Sequence, residues 1–181
     1  MWGLRSSGLR SSNLRSRQGD LTPARFLPVI TLFLAAVATV LPFPIPGYVA
    51  VVPLFTLMPV YYWTVYRPDL LRPPGIFAGG VVLDLLSGAP LGLSSLLLLL
   101  AQMLVLTQRR FFVDRLFPFL WLGFTLLAAA AVAFLWLAGG MMGGLVLDPR
   151  PATLQWVLSV ACFPVVGYVL MRIQRRFLAI V

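Results

Sequence analysis

The sequence predicts an all-α integral membrane protein of six transmembrane helices, with the N and C termini both cytoplasmic. Three observations lead there. Of 181 residues, 60% are hydrophobic and only 10% are charged, more apolar sequence than a soluble core needs. Several apolar runs approach or exceed the roughly 20 residues that cross about 30 Å of hydrocarbon. The 14 arginines stand at the ends of those runs, and six crossings place all of them except Arg150 on one side. That asymmetry marks the cytoplasmic face.

Residues 1–25 carry Arg5, Arg10, Arg15, Arg17 and Arg25 among serines, against the single acid Asp20. Such a tail has nothing to bury and is expected to be disordered, a topogenic anchor drawn to anionic membrane lipids. A partner-binding arm is the alternative. The membrane domain follows over residues 26–176, and residues 177–181 form a short C-terminal end. A first span, residues 26–41, lacks a small-residue cleavage site and reads as an uncleaved helix. Pro42, Pro44 and Pro46, followed by Gly47, end it.

The second span, residues 48–65, holds Pro53 and Pro59, which predict kinks. It closes on Tyr61, Tyr62, Trp63 and Tyr66, which read as an interfacial belt ahead of Arg67, Asp69 and Arg72. The third span, within residues 75–93, is short and interrupted by glycine. A Leu-rich fourth span leads to a basic loop at residues 109–115. The fifth, residues 116–137, is expected to end in a flexible connection at Gly139, Gly140, Gly143 and Gly144, with a short rigid loop at residues 148–151. The sixth, residues 152–171, finishes at Arg172, Arg175 and Arg176. Merging the third and fourth would give five spans and put six arginines outside, so six is preferred. A re-entrant third segment stays open, provided protein buries it.

The net charge of +9 would also suit a nucleic-acid partner, but arginines confined to the ends of apolar runs form no basic soluble face, and none is expected. The chain has no His, no Lys and no Glu, and only five Asp. A histidine base, a histidine-containing metal site and a Schiff-base lysine are therefore excluded. No cofactor is expected. Cys162 stands alone in an apolar run and reads as a small buried hydrophobe.

The third span holds the residues hardest to explain as filler. Asp84 lies in apolar sequence with no basic residue within about a turn, at a cost of roughly 2.5–3.5 kcal/mol at a bilayer centre. Such an acid either bonds a neighbouring helix or serves as a ligand or relay group. In the bonding role, Asp84→Asn should keep much of the function. Gly79 and Gly80, one turn earlier, suit close approach of another backbone. Gly88, Pro90 and Gly92 break the helix beyond it. At the other end, Arg67 and Pro68 form a corner with Arg72, where the prolines could aim an arginine inward.

Read in order, residues 63–95 give aromatics, Arg-Pro, a short gap, GG-x-x-x-D-x-x-x-G-x-P-L-G, and a Leu-rich helix. This resembles the bacterial rod shape-determining MreD family. The resemblance implies a six-helix inner (plasma) membrane protein, with a fold like that of the substrate-binding components of vitamin transporters and no enzymatic activity. It also implies a place in the cell-elongation machinery, with MreC as closest partner, alongside MreB, the glycosyltransferase RodA and its transpeptidase. The Arg/Ser-rich tail is not part of the family pattern. A scaffold supporting lateral peptidoglycan synthesis is thus the leading expectation. A ligand-binding transporter component that uses Asp84 is the alternative, and a hydrolase built on Ser94 or Ser95 would lack a base.

Overall fold

A computed structural model describes the backbone of residues 22–40, 52–112, 117–143 and 148–178, with the side chains of 26–39, 52–108, 119–141 and 148–176. Among these residues it is all-helical. The helices are α1 (Thr22–Val40), α2 (Leu57–Tyr66), α3 (Pro73–Ser87), α4 (Leu93–Phe112), α5 (Phe117–Gly143) and α6 (Pro149–Leu178). The proline cluster at residues 42–46 and most of the N-terminal tail lie outside the described residues.

The shortest helix is the centre of the molecule. Every residue of α2 from Leu57 to Val65 is buried, with α1, α4, α5 and α6 packed around it. Tyr61, Tyr62 and Trp63, expected at a membrane interface, lie in the core instead. Each is held by a hydrogen bond: Tyr61 donates to the Leu120 carbonyl (3.0 Å), Tyr62 to Gln174 Oε1 (2.7 Å), and the Trp63 indole to Thr31 Oγ1 (3.0 Å). Tyr61 also sits edge-on to Phe124 and Phe163, which stack at 4.1 Å. Aromatic rings bury large apolar areas while their polar tips find partners, so they serve a core as well as an interface. Only Tyr66 of the four is exposed.

Several boundaries depart from expectation. Pro53 precedes α2 and Pro59 sits in its first turn, where the missing N–H has no intrahelical partner to lose, so neither kinks it. Helix α4 continues through Arg109 and Arg110 to Phe112, and α5 runs through Gly139 and Gly140 to Gly143, where a loop and a flexible connection were expected. Pro149 begins α6, and Asp148 Oδ1 accepts the Arg150 N–H (3.0 Å), so the expected rigid loop is a helix start. Cys162 is half-buried rather than buried.

The stretches Phe119–Met141 and Pro149–Arg176 are long and apolar enough to cross a membrane. Those of α1, α3 and α4 are apolar but shorter. Helix α3 lies between α1 and α4, and α5 packs mainly on α6.

Candidate functional site

Helix α3 starts where the chain has no choice. Pro73 and Pro74 occupy its first turn, and Arg72 before them is extended (φ −78°, ψ 148°), as a residue preceding proline tends to be. It ends at Gly88, whose left-handed backbone (φ 66°) lets the Gly88 N–H and the Ala89 N–H (3.2 Å) both reach the Asp84 carbonyl. Gly92, at φ 96°, turns the chain into α4. The third segment is therefore short but continuous through Gly79 and Gly80, and the interruption falls after Ser87.

The Asp84 side chain closes this break. It is fully buried, its Oδ2 accepts the Gly92 N–H at 2.7 Å and its Oδ1 the Ser94 N–H at 3.1 Å. A helix start leaves about four N–H groups without internal partners, and an acid there also meets the positive end of the helix dipole. Asp84 thus caps α4 from the preceding helix. Both oxygens are engaged by backbone of the same chain, and the side chain has no exposed surface.

The glycines draw the neighbours in on either side. A methyl group on Gly80 would meet Ser95 at its Oγ (2.6 Å) and backbone N (2.7 Å), and one on Gly79 would meet Leu32 Cδ2 of α1 (2.5 Å). Ser95 Oγ donates to the Phe77 carbonyl at 3.1 Å across the same contact. Gln102 Nε2 then donates to the Leu71 carbonyl (3.0 Å) at the far end of α3. Helix α4 therefore fastens α3 at its end, its middle and its beginning.

Not every predicted residue joins this cluster. Gly79, Gly80, Asp84 and Gly92 do. Gly88 and Pro90 form the exposed outer rim of the turn. Arg67 and Arg72 are exposed at the opposite end, Arg72 about 18 Å along the helix from Asp84, and the prolines aim neither inward. Pro68 is half-buried.

Three polar residues that sequence reading passed over perform the same kind of task. Gln102 is one. Ser159 Oγ accepts the Leu54 N–H (2.9 Å) and donates to the Gln155 carbonyl (2.6 Å), while Gln155 Nε2 donates to the Val52 carbonyl (2.9 Å). They secure the non-helical residues ahead of α2. A buried backbone group without a partner costs several kcal/mol in lipid, so a polar residue inside an apolar run was the available signal.

The grooves on the α4–α5 and α5–α6 seams, of about 190 Å³ and 220 Å³, are lined almost wholly by Leu, Ala, Val, Trp and Phe, and Asp84 does not line them. The site joins helices. A family model described as rod shape-determining protein MreD matches residues 22–174. Neither the curated proteins nor the solved structures yielded a match.

Proposed function

The chain belongs to the MreD family of rod shape-determining proteins, and from that premise we propose that it is a non-enzymatic scaffold of the elongation machinery. In this reading it is a six-span protein of the bacterial inner membrane with cytoplasmic termini. It binds MreC, works alongside MreB, RodA and the RodA transpeptidase, and supports lateral peptidoglycan synthesis. The arginine asymmetry favours the topology.

One observation supports a scaffold over a ligand-capturing transporter component. Asp84, the charged residue within the α3 span, has both oxygens committed to backbone N–H groups of its own chain. Its side chain is also fully buried, so neither a substrate nor an ion has a direct approach to it from the surface.

Depletion tests the reading. A rod-shaped host deprived of this protein should round up, and MreC should co-purify with it from native membranes without a bound small molecule. Rescue of shape by an added vitamin, or loss of nutrient uptake with shape intact, would replace the scaffold reading with the transporter one.

A further inference from the structure

Among the tryptophans whose side chains are described, Trp63, Trp121 and Trp156 each hold a partner by the indole N–H. Trp63 donates to Thr31 Oγ1, Trp121 to the Val160 carbonyl (3.1 Å) and Trp156 to the Thr125 carbonyl (3.0 Å). Trp136 does not. Its Nε1 is covered by protein and has no hydrogen-bond partner, the one such buried side-chain atom among the described residues. A desolvated N–H without an acceptor is a standing cost to the fold.

Trp136 lines the groove of about 220 Å³ between α5 and α6. The Trp121 and Trp156 bonds fix the pairing of these two antiparallel helices, with residue 121 beside 160 and 125 beside 156. Continued by another turn, the pairing sets Ala129 beside Ala152 and brings Trp136 to the level where α6 starts. The groove thus runs about 10 Å inward, from a mouth at Trp136 and Pro149 to Ala129 and Trp156. That is about two thirds of the roughly 15 Å of hydrocarbon in one leaflet. Its other polar side chains are committed, Thr153 Oγ1 to the Arg150 carbonyl (2.9 Å) and Trp156 to Thr125.

At the mouth the chemistry changes. Asp148 and Arg150 flank Pro149 and are both exposed, and the Asp148 Oδ1 bond to the Arg150 N–H (3.0 Å) keeps acid and base side by side. An anion drawn to Arg150 is repelled by Asp148, whereas a zwitterion finds a partner for each of its charges. We propose that this groove seats a phospholipid with a phosphoethanolamine headgroup. One acyl chain lies along Ala129, Ala133 and Ala152. The phosphate meets Arg150, and the ammonium, which unlike a quaternary one can donate hydrogen bonds, meets Asp148. The indole of Trp136 turns about its side-chain bonds so that its N–H reaches an ester carbonyl. The mouth lies on the opposite side from every other arginine, in the outer leaflet of the six-span reading on which this inference rests. A lipid so held is part of the bilayer and not a solute captured for uptake, so the scaffold reading is untouched.

Native mass spectrometry of the full chain tests the seat, after exchange into detergent carrying equal amounts of phosphatidylethanolamine and phosphatidylglycerol with the same acyl chains. The protein should hold the ethanolamine lipid about fivefold better than the glycerol lipid, the scale of two exposed ion pairs. Asp148→Asn combined with Arg150→Gln should level the two. Trp136→Phe, which keeps an aromatic ring and removes the N–H, should lower ethanolamine-lipid binding about threefold to tenfold, the worth of one hydrogen bond. Ala133→Leu, at an exposed position in the groove wall, should lower it too and decides the matter should Trp136→Phe not fold. Binding of neither lipid, equal binding of both by the wild type, or binding that none of these variants changes would overturn the seat and leave the membrane reading standing. Recovery of the chain in aqueous extracts rather than with membranes would overturn that reading, and this inference with it. A dimer in the spectra that Ala133→Leu disrupts, with lipid binding unchanged, would assign the groove to a second copy of the chain instead.

Discussion

Asp84 faces two donors, and this changes what its nearest substitute does. Asn offers a single carbonyl oxygen and would turn its NH2 group toward a backbone N–H. Asp84→Asn should therefore lose about 1–3 kcal/mol rather than behave as a near-neutral replacement. Asp84→Leu, which leaves both donors unpaired, should lose more. Unfolding of the purified full chain should rank wild type above Asn and Asn above Leu; an Asn variant as stable as wild type would sink the two-acceptor account. A relay role makes another forecast, with Asn and Leu equally harmful to cell shape at normal protein abundance. The two adjacent glycines separate by what they touch. Gly80→Ala drives a methyl into the Ser95 backbone, which cannot step aside, while Gly79→Ala meets the end of the Leu32 side chain, which can rotate. Overpacking of about 1–3 kcal/mol is expected for Gly80→Ala and less for Gly79→Ala. The same unfolding measurement checks the order, and a milder Gly80→Ala would contradict the close approach.

The α3–α4 hairpin depends on two glycines with different backbone demands. Gly88, at φ 66°, is in the left-handed region that Asn also enters, and no atom lies within 4 Å of the position a Cβ would take. Gly92, at φ 96°, lies beyond that region, with its N–H fixed by Asp84. Gly88→Asn should hold the protein near its wild-type abundance in membranes. Gly92→Asn should reduce abundance and cost about 1–2 kcal/mol. The opposite order would mean that the turn does not set the register of α4. Much of this hairpin is legible in the sequence: the break after Ser87, the crowding of glycines, and an acid without a charged partner. Its closure is not, because nothing in residues 84–94 says which backbone groups the carboxylate meets. Gln102 illustrates the same limit, since its partner Leu71 lies 31 residues away.

For the molecule as a whole, the arginine distribution makes a direct topological forecast. With Cys162 replaced, a cysteine near Arg150 should react with a membrane-impermeant thiol reagent added outside, and one near Asp69 or Arg110 should not. Outside labelling at position 110 would remove the six-span arrangement and favour five. The same molecule shows why hydropathy alone misplaced its centre. Lipid is as apolar as a core, so an aromatic run reads alike whether it faces the interface or the interior. Residues 48–65 read as a membrane span, yet the helix within them is only ten residues long and buried, and its Tyr61 and Trp63 reach α1, α5 and α6.

Composition, the spacing of apolar runs and the placement of arginine are local quantities, and they were enough to predict an all-helical chain with apolar segments of membrane-spanning character, the order of its helices, the break beyond Asp84 and the resemblance to the MreD family. Which helix is buried, which way Arg67 and Arg72 face, and what Asp84, Gln102 and Ser159 bond are relations between distant parts of the chain. Leu54 and Ser159 stand 105 residues apart and meet only because α6 packs on α2. Those pairings follow from a single physical demand, that every polar backbone group at a break inside an apolar medium find a partner. A sequence displays the breaks and the polar side chains, but packing alone matches one to the other.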